Sequence, residues 1–259
     1  MMRKIIGVIL ITAAIVVPFA LFDVLPAIGD PNSAPNTHVS DVYIEQTIET
    51  ANSPNMVTSV IVDFRAFDTL LETTVMFLAG VSVMLILAAQ MKSRKRIIIP
   101  KLAMRTKDRW NDVVYRTVNK DVVITLIQPV ILVYAIYVLF HGEVSLGGGF
   151  QAGALIGTAY LLDAMVIPER RNFAKITKGT SAAIAGIGTF IYAAAGILTL
   201  AGGGKFLEYA AIPFAMDAAE KHSLGILIVE IGVTLGVAGT IITIMNAMAE
   251  RVKFDDDRN

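Results

Sequence analysis

The 259-residue sequence has no cysteine, only three histidines, and as many basic as acidic side chains. Without cysteine, the chain can form neither a disulfide nor a thiolate-bound zinc or iron–sulfur centre. The histidines are too scattered to provide a metal-ligand spacing, and a net charge of zero gives no general attraction for nucleic acid. We therefore expect no metal, no cofactor and no nucleic-acid partner for this chain, and any redox chemistry would lie in another protein.

Apolar residues are what the sequence has in excess. They make up 55% of the chain against 17% charged residues, which is too apolar for a soluble domain. Because a helix of about 20 apolar residues crosses the hydrocarbon core of a bilayer and satisfies its own backbone, long apolar runs indicate transmembrane helices. The sequence predicts an all-α, polytopic membrane protein with six transmembrane helices. The six runs are residues 5–22, 73–91, 122–140, 144–162, 179–204 and 222–249.

Lysine and arginine are distributed unevenly between the two sides of this predicted topology. If the N-terminus is cytoplasmic, 19 of the 22 basic residues are cytoplasmic, and only Arg65, Lys205 and Lys221 are outside. Positive charge on short loops favours the cytoplasmic side, so the chain is predicted to be a multi-pass protein of the cell membrane with both termini cytoplasmic. A cleaved signal peptide is the alternative for the first run, whose apolar core is longer than signal peptides have.

A basic segment, residues 92–115, separates a two-helix part, residues 1–91, from a four-helix part, residues 116–259. We interpret the segment as a cytoplasmic linker that contacts anionic lipid headgroups, with docking of a cytoplasmic partner as the alternative. On the outer side, residues 57–64 are predicted to lead by a short helix into the second span. Residues 205–221 are amphipathic and are predicted to lie on the outer membrane surface.

Three ionisable residues, Arg65, Asp68 and Glu72, lie at the outer end of the second span. In a helix they share one face, so that Arg65 can pair with Asp68 while Glu72 lies one turn deeper. Desolvation disfavours the charge of such a carboxylate and a nearby guanidinium favours it, which suits the site to binding a proton or a cation. The alternative is an ordinary interfacial ion pair that anchors the helix.

Glu230 and His141 are further candidates for an ion path. Glu230 lies eight residues into the last run, where an unpaired carboxylate costs roughly 2.5–3.5 kcal/mol and should face protein, water or a basic partner. Gly232 and Gly236 beside it permit close helix approach. His141 begins the turn between the third and fourth runs and has a side chain that titrates near neutral pH, with a hydrogen-bonded structural role as the alternative.

The turn that His141 begins also contains a triple glycine. No Lys-Ser/Thr follows the glycines, as a phosphate-binding loop requires, so we exclude that function. Glycine permits positive φ and close backbone approach at membrane depth. We predict a structural turn formed by Gly147, Gly148, Gly149 and Phe150.

Two motifs resemble subunits of one family, the Mrp-type multisubunit sodium/proton antiporters. Residues 137–153, which contain Gly-Gly-Gly-Phe-Gln-Ala-Gly, resemble the B-type (MnhB-like) subunit together with Glu230-Ile-Gly-Val, over about residues 116–249. Residues 62–72, Val-Asp-Phe-Arg-Ala-Phe-Asp-Thr-Leu-Leu-Glu, resemble the C-terminal end of the large A-type subunit, over roughly residues 55–90. The family has proline where this chain has Leu146, and glycine at the positions of Ala66 and Leu71.

The resemblance implies a non-catalytic membrane subunit of a complex that transports Na+ and H+. The A-like segment is fused to the B-like module and detached from any antiporter body, an arrangement similar to archaeal membrane-bound hydrogenases and sulfane-sulfur reductase complexes. The expected partners are other Mrp-like membrane subunits, a cytoplasmic redox arm and the lipid bilayer. The alternatives are a component of a free-standing Mrp antiporter, a self-contained transporter, and a purely architectural subunit with no ion-carrying residue.

Overall fold

The computed structural model describes residues 2–22, 27–93, 107–166 and 176–256. Within these ranges all regular structure is helical, as the composition predicts. Much of the predicted linker, residues 92–115, lies outside the described residues. The α-helices are α1 Met2–Ala20, α2 Ser40–Ala51, α3 Met56–Ser59, α4 Ala66–Ser93, α5 Lys107–Phe140, α6 Gly149–Ala164, α7 Lys178–Ala201 and α8 Ala218–Asp256. Two π-helical turns, Pro35–Val39 and Val60–Phe64, and a 3-10 turn, Tyr209–Ala211, complete the description.

In the described part of the chain, four helices are long and apolar enough to cross a membrane. They lie in α4, α5, α7 and α8 and correspond to the second, third, fifth and sixth predicted runs. The apolar part of α1, Ile5–Ala20, and the 16-residue α6 are shorter. The predicted start of the fourth run is wrong, because residues 141–148 form a turn and the helix begins only at Gly149.

The chain divides into two compact units, Met1–Gln46 and Thr47–Asn259. The first contains α1, the π-helical turn Pro35–Val39 and the first part of α2. The second contains α3 to α8 and every candidate functional residue. The description below concerns this second unit alone.

Helix α8 is the centre of the second unit. Of its most apolar stretch 72% is buried inside the protein, against 33% for α7, 22% for α5 and 11% for α4. It packs against α7, α6 and α4, and α5 packs mainly on α6. Close packing of α7 on α8 depends on Gly188, where a side chain would overlap the α8 backbone at Gly232 and Gly236. The outer helices therefore present apolar faces to their surroundings, while α8 is a core helix.

The first half of the segment between α7 and α8 packs into the protein, which corrects the predicted membrane-surface position for residues 207–212, whereas residues 213–220 are exposed and their surface position stays a prediction. Leu207, Tyr209 and Ile212 are almost completely buried in the main hydrophobic cluster. The Tyr209 ring occupies space that a side chain at Gly225 of α8 would fill. Glycine at that position thus allows the segment to fold onto α8, and the periodicity of the segment alone does not show it.

Candidate functional site

The helix that leads into α4 is broken, and side chains from other elements satisfy the broken backbone. The π-helical turn Val60–Phe64 ends where the Arg65 N–H donates to the Val60 carbonyl at 2.9 Å. Beyond that bond, the Tyr209 hydroxyl donates to the Val62 carbonyl and the Tyr192 hydroxyl donates to the Ala66 carbonyl, each at 2.7 Å. Helix breaks at membrane depth require such partners, and π turns are frequent at functional sites. The predicted short helix over residues 57–64 is confirmed as α3 and this π turn.

The triple-glycine turn is pressed against α8 at Glu230. Gly148 has φ +134°, a conformation that L side chains rarely adopt, and it precedes the first residue of α6. A side chain at Gly149 would overlap the Glu230 carbonyl oxygen, so only glycine permits this approach. Of the four residues predicted to form the turn, Gly147 and Gly148 precede α6, whereas Gly149 and Phe150 are the first residues of α6.

Asn55 attaches the segment before α3 to the α5–α6 turn. Its Nδ2 donates to the carbonyls of Gly142 and Ser145 at 2.8 and 2.6 Å, and its Oδ1 accepts from the Val57 N–H as the N-cap of α3. The Thr58 hydroxyl donates to the Gly142 carbonyl at 2.7 Å. Our sequence analysis missed Asn55. Its N-cap position was recognisable from residue type, but the bonds to a turn nearly ninety residues away were not.

A cavity of about 270 Å³ lies between these elements and brings two of the predicted ion-path acids together. Glu72 of α4 and Glu230 of α8 both line it. The remaining lining combines the glycine turn with apolar and hydroxyl side chains. These residues are Val57, Thr58, Ile61, Val62, Thr69, Gly147, Gly148, Gly149, Phe150, Gln151 and Val233.

The Glu230 carboxylate is enclosed by glycines. Glu230 is 3% exposed, and a side chain added at Gly142 would lie 2.8 Å from its Oε1. In the described residues no hydrogen-bond donor or cation contacts this carboxylate, so the cavity is the space into which it can bind an ion or water. The expectation that Glu230 faces protein or water is confirmed. Its carboxylate can hold a proton or a hard cation, both of which bind oxygen.

Arg65 and Asp68 form the predicted ion pair, but they do not line the cavity. The Arg65 guanidinium donates from Nε to Asp68 Oδ2 at 2.7 Å, and the two side chains are 61% and 48% exposed. Glu72, one turn further along α4, is also exposed, but it lines the cavity. The structure therefore separates the three residues that the sequence placed on one stripe by their position relative to the cavity, and not by their exposure.

His141 also lies outside the cavity lining. Its ring is exposed and stacks on Tyr137 with 4.5 Å between the ring centroids. The residue after it, Gly142, is the one that contacts Glu230. The turn thus brings backbone, and not the imidazole, to the buried acid.

A buried acid–histidine pair lies beside the cavity and was missed by our sequence analysis. Asp63 Oδ2 lies 2.7 Å from His222 Nδ1, and both side chains are 12% exposed. Asp63 follows the cavity residue Val62, and His222 is in the second turn of α8. The edge of the Tyr209 ring points at the imidazole, with 6.1 Å between centroids. No local spacing signals this pair, because its members are 159 residues apart.

Two groups in the loops have shifted pKa values. Burial, followed by the nearby groups Tyr192, Asp63 and Glu230, raises the pKa of the Tyr209 phenol well above its usual value, so that Tyr209 is a hydrogen-bond donor at any physiological pH. Burial raises the pKa of Glu143 in the α5–α6 turn, and a hydrogen bond from Ser223 opposes that shift. Among the described residues, histidine and acidic side chains form no cluster of three or more that could hold a metal ion.

Two protein families match the sequence in separate regions. Residues 120–243, which include the glycine turn and Glu230, match a domain related to the MnhB subunit of Na+/H+ antiporter. Residues 8–103, which include Asp63 and Glu72, match the MbhE family, described as one of the subunits of MBH. The cavity is therefore built from both matched regions.

Two relatives that are named as antiporter subunits match about half of this chain. The protein named putative antiporter subunit mnhB2 in Staphylococcus haemolyticus is 33% identical over 141 residues, which are 54% of this chain and 95% of that protein. The same-named protein of Staphylococcus aureus (strain Newman) is 28% identical over 140 residues, with the same coverage.

The fold recurs in two membrane complexes. A chain of the Mrp complex from Dietzia sp. DQ12-45-1b is 24% identical with a TM-score of 0.65, and the match covers 95% of this chain but only 26% of that chain. A chain of the membrane-bound sulfane sulfur reductase, an archaeal respiratory membrane complex, is 24% identical with a TM-score of 0.59, and the match covers 96% and 98% of the two chains. This chain thus spans about a quarter of the Mrp chain and almost all of the reductase chain. The Staphylococcus haemolyticus relative, which is 33% identical and is covered over 95% of its length, shows that the chain belongs to the family of membrane subunits related to the MnhB subunit of Na+/H+ antiporters.

Proposed function

We propose that the chain is a non-catalytic subunit of a Na+/H+-translocating membrane module and that its cavity is part of the ion path. One observation carries the proposal: Glu72 and Glu230, from different helices, line the same cavity under a glycine turn. Both carboxylates line this one small space, so a proton or Na+ that enters it meets oxygen ligands from two helices.

The other predicted ion-path residues take a different place in this proposal. Arg65, Asp68 and His141 are exposed and lie outside the cavity lining. We place them at the rim, where exposed charges act on the approach of ions and are screened by salt. Glu72 and Glu230 carry the ion-binding step.

The parent complex is proposed to be a respiratory one of the archaeal membrane-bound hydrogenase or sulfane-sulfur reductase type. The family match over residues 8–103 and the end-to-end likeness to a reductase chain support it. Under this proposal residues 1–91 are an A-like end fused to the B-like module, and the partners are further Mrp-like subunits and a redox arm. Isolation of the complex in mild detergent tests it: redox subunits in the preparation support the proposal, and antiporter subunits alone contradict it.

Six membrane spans with both termini cytoplasmic complete the proposal, with α1 and α6 as the two shorter spans. Exposed positions on the two chain segments that flank α6, Leu146 in the α5–α6 turn and Gly179 at the start of α7, test it. Cysteine at Leu146, which is 90% exposed in the α5–α6 turn, should react with a membrane-impermeant reagent from outside. Cysteine at Gly179, where the nearest other side chain is 3.9 Å away, should react only from the cytoplasm. Labelling of both from one side would show that α6 does not span.

Glu72→Gln and Glu230→Gln test the ion path, since glutamine keeps the size and hydrogen bonding of glutamate but does not titrate. In vesicles containing the complex, Na+-driven proton movement per assembled complex should fall at least about tenfold in each variant. Asp68→Asn is the matched control, because Asp68 lies on the same helix as Glu72, one turn away and outside the cavity lining, and its removal should lower transport much less than removal of Glu72. Normal transport in both glutamine variants would contradict the ion path and favour the purely architectural function.

A further inference from the structure

The Asp63–His222 pair is not the only contact that holds the π turn. The π turn is already held by the Tyr209 and Tyr192 hydroxyls, which bond to the Val62 and Ala66 carbonyls on either side of Asp63. If both groups are charged, such a pair contributes little net stability compared with apolar packing, because both lose their hydration. Attachment of the turn therefore does not by itself account for a titratable pair at this position.

The pair is coupled to the cavity through Tyr209. The Tyr209 ring contacts the His222 imidazole edge to face, and its hydroxyl bonds to the backbone of the cavity residue Val62. Burial is the main cause of the raised pKa of the Tyr209 phenol, and Tyr192, Asp63 and Glu230 add to it. The phenol therefore lies close enough to the histidine's partner and to the buried cavity acid for both to act on it.

The ionisable groups around His222 come from four elements. Asp63 belongs to the π turn and Tyr209 to the 3-10 turn. Glu143 of the α5–α6 turn bonds to Ser223, the residue after His222. On α8 itself Glu220 and Lys221 flank the histidine, and the Lys221 ammonium donates to the Ala210 carbonyl at 3.3 Å. In the described part of the chain no lysine or arginine pairs with Asp63, which leaves its carboxylate to His222.

We propose that Asp63 and His222 form a proton-binding site at the edge of the cavity. With Nδ1–H donating to Asp63, the neutral imidazole accepts a proton at Nε2 and becomes an imidazolium beside a carboxylate, and loss of that proton restores the neutral ring. Both groups keep their hydrogen bond throughout. The site thereby exchanges protons between the aqueous phase beside the α7–α8 segment and the cavity that holds Glu230. This assignment rests on the proposed function of the cavity.

His222→Gln and Asp63→Asn test the proposal in the isolated complex reconstituted into vesicles. In His222→Gln the glutamine can donate to Asp63 but does not titrate. In Asp63→Asn the asparagine can accept from His222, but the carboxylate that stabilises the imidazolium is lost. A trapped pH dye follows proton movement driven by a Na+ gradient, while the pH on the side of the α5–α6 turn is varied between about 5.5 and 8.5. We expect a fall of about tenfold or more in both variants, and in His222→Gln we also expect loss of the pH dependence over this range.

Tyr192→Phe is the matched control, because it removes a bond to the same broken helix without touching the pair; it should lower stability and keep the pH profile. Unchanged rate and pH profile in His222→Gln would overturn the proposal. Loss of assembled complex in both His222→Gln and Asp63→Asn would also overturn it, by showing a purely structural tie. Glu230→Gln in the same vesicles separates the two claims. Normal transport in Glu230→Gln contradicts the proposed ion path. Lost transport in Glu230→Gln together with normal transport in His222→Gln contradicts only the proton-binding site.

Discussion

Two acid–base pairs have their acids, Asp63 and Asp68, close together in the broken helix that leads into α4. The two pairs differ in exposure and in the distance along the chain between their members. Arg65 and Asp68 are one helical turn apart and largely exposed, whereas Asp63 and His222 come from distant parts of the chain and are 12% exposed. An exposed pair is hydrated and screened, so it contributes about 0–1 kcal/mol. A buried pair cannot lose one member without leaving the other unpaired. The sequence spacing therefore reveals the Arg65–Asp68 pair, which contributes less to stability, and not the Asp63–His222 pair.

Removal of one acid from each pair should show the largest difference. Asp63→Ala leaves the buried His222 ring nitrogen without its acceptor, which costs about 1–3 kcal/mol. Asp68→Ala leaves an exposed guanidinium that water solvates, at a cost of about 0–1 kcal/mol. The apparent melting temperature of the purified complex measures both. Equal losses in the two variants would contradict the contrast between the pairs.

Loss of the Tyr209 hydroxyl, next to the buried pair, should lower the stability of the protein by a smaller amount. Tyr209→Phe removes the buried hydrogen bond to Val62 and should destabilise the protein by about 0.5–1.5 kcal/mol. Tyr137→Phe is the control: Tyr137 is half exposed, and phenylalanine keeps its stacking on His141. Thermal unfolding of the two variants at one pH compares them. If Tyr137→Phe were destabilised as much as Tyr209→Phe, the buried hydrogen bond of Tyr209 would contribute no more to stability than an exposed hydroxyl.

Glu143→Gln should give a pH-dependent gain. Because burial raises the pKa of Glu143, the folded protein binds that proton more tightly than the unfolded chain does. The stability that this group contributes is therefore present at low pH and is lost as the pH rises through the raised pKa. Glutamine imitates the protonated form and still accepts from Ser223. The melting temperature of the variant should equal that of the natural protein in acid and exceed it at neutral and higher pH.

Salt should produce the smallest effect. Arg65→Gln removes the exposed pair, and at 1 M NaCl, where the Debye length is about 3 Å, the variant and the natural protein should have the same melting temperature. Asp63→Ala should keep its full deficit at that salt concentration, because its partner is shielded from solvent. A deficit of Asp63→Ala that disappears in salt would place both pairs in the same exposed class.

Local spacing predicted the parts of this protein that depend on local geometry. The all-helical class, the Arg65–Asp68 pair, the burial of Glu230 and the glycine turn follow from residue type, helical period and the cost of a charge in an apolar helix. The start of α6 was placed too early, because apolar Val144 and Leu146 fit a helical pattern although they belong to the turn.

The cavity depends on contacts between distant segments, which no single-sequence pattern contains. Glu72 and Glu230 were each recognisable, but their meeting in one cavity depends on Asn55 holding the α5–α6 turn and on Tyr209 folding onto α8. Tyr209 belonged to a segment with an amphipathic pattern, which describes a membrane surface and a folded loop equally well. His222 stood alone at the start of an apolar run, so nothing nearby suggested its partner.

The π turn Val60–Phe64 makes chain length a functional property of this segment. It holds one residue more than the corresponding α-helical turn, and deletion of one residue would rotate α3 relative to α4 by about 100°. That rotation would move Asn55 away from the α5–α6 turn and Asp63 away from His222 in one event. During divergence of the gene, substitutions in this turn remove contacts one at a time, whereas a single-codon deletion removes them together. The number of residues in this turn should therefore vary less among related proteins than the identity of those residues.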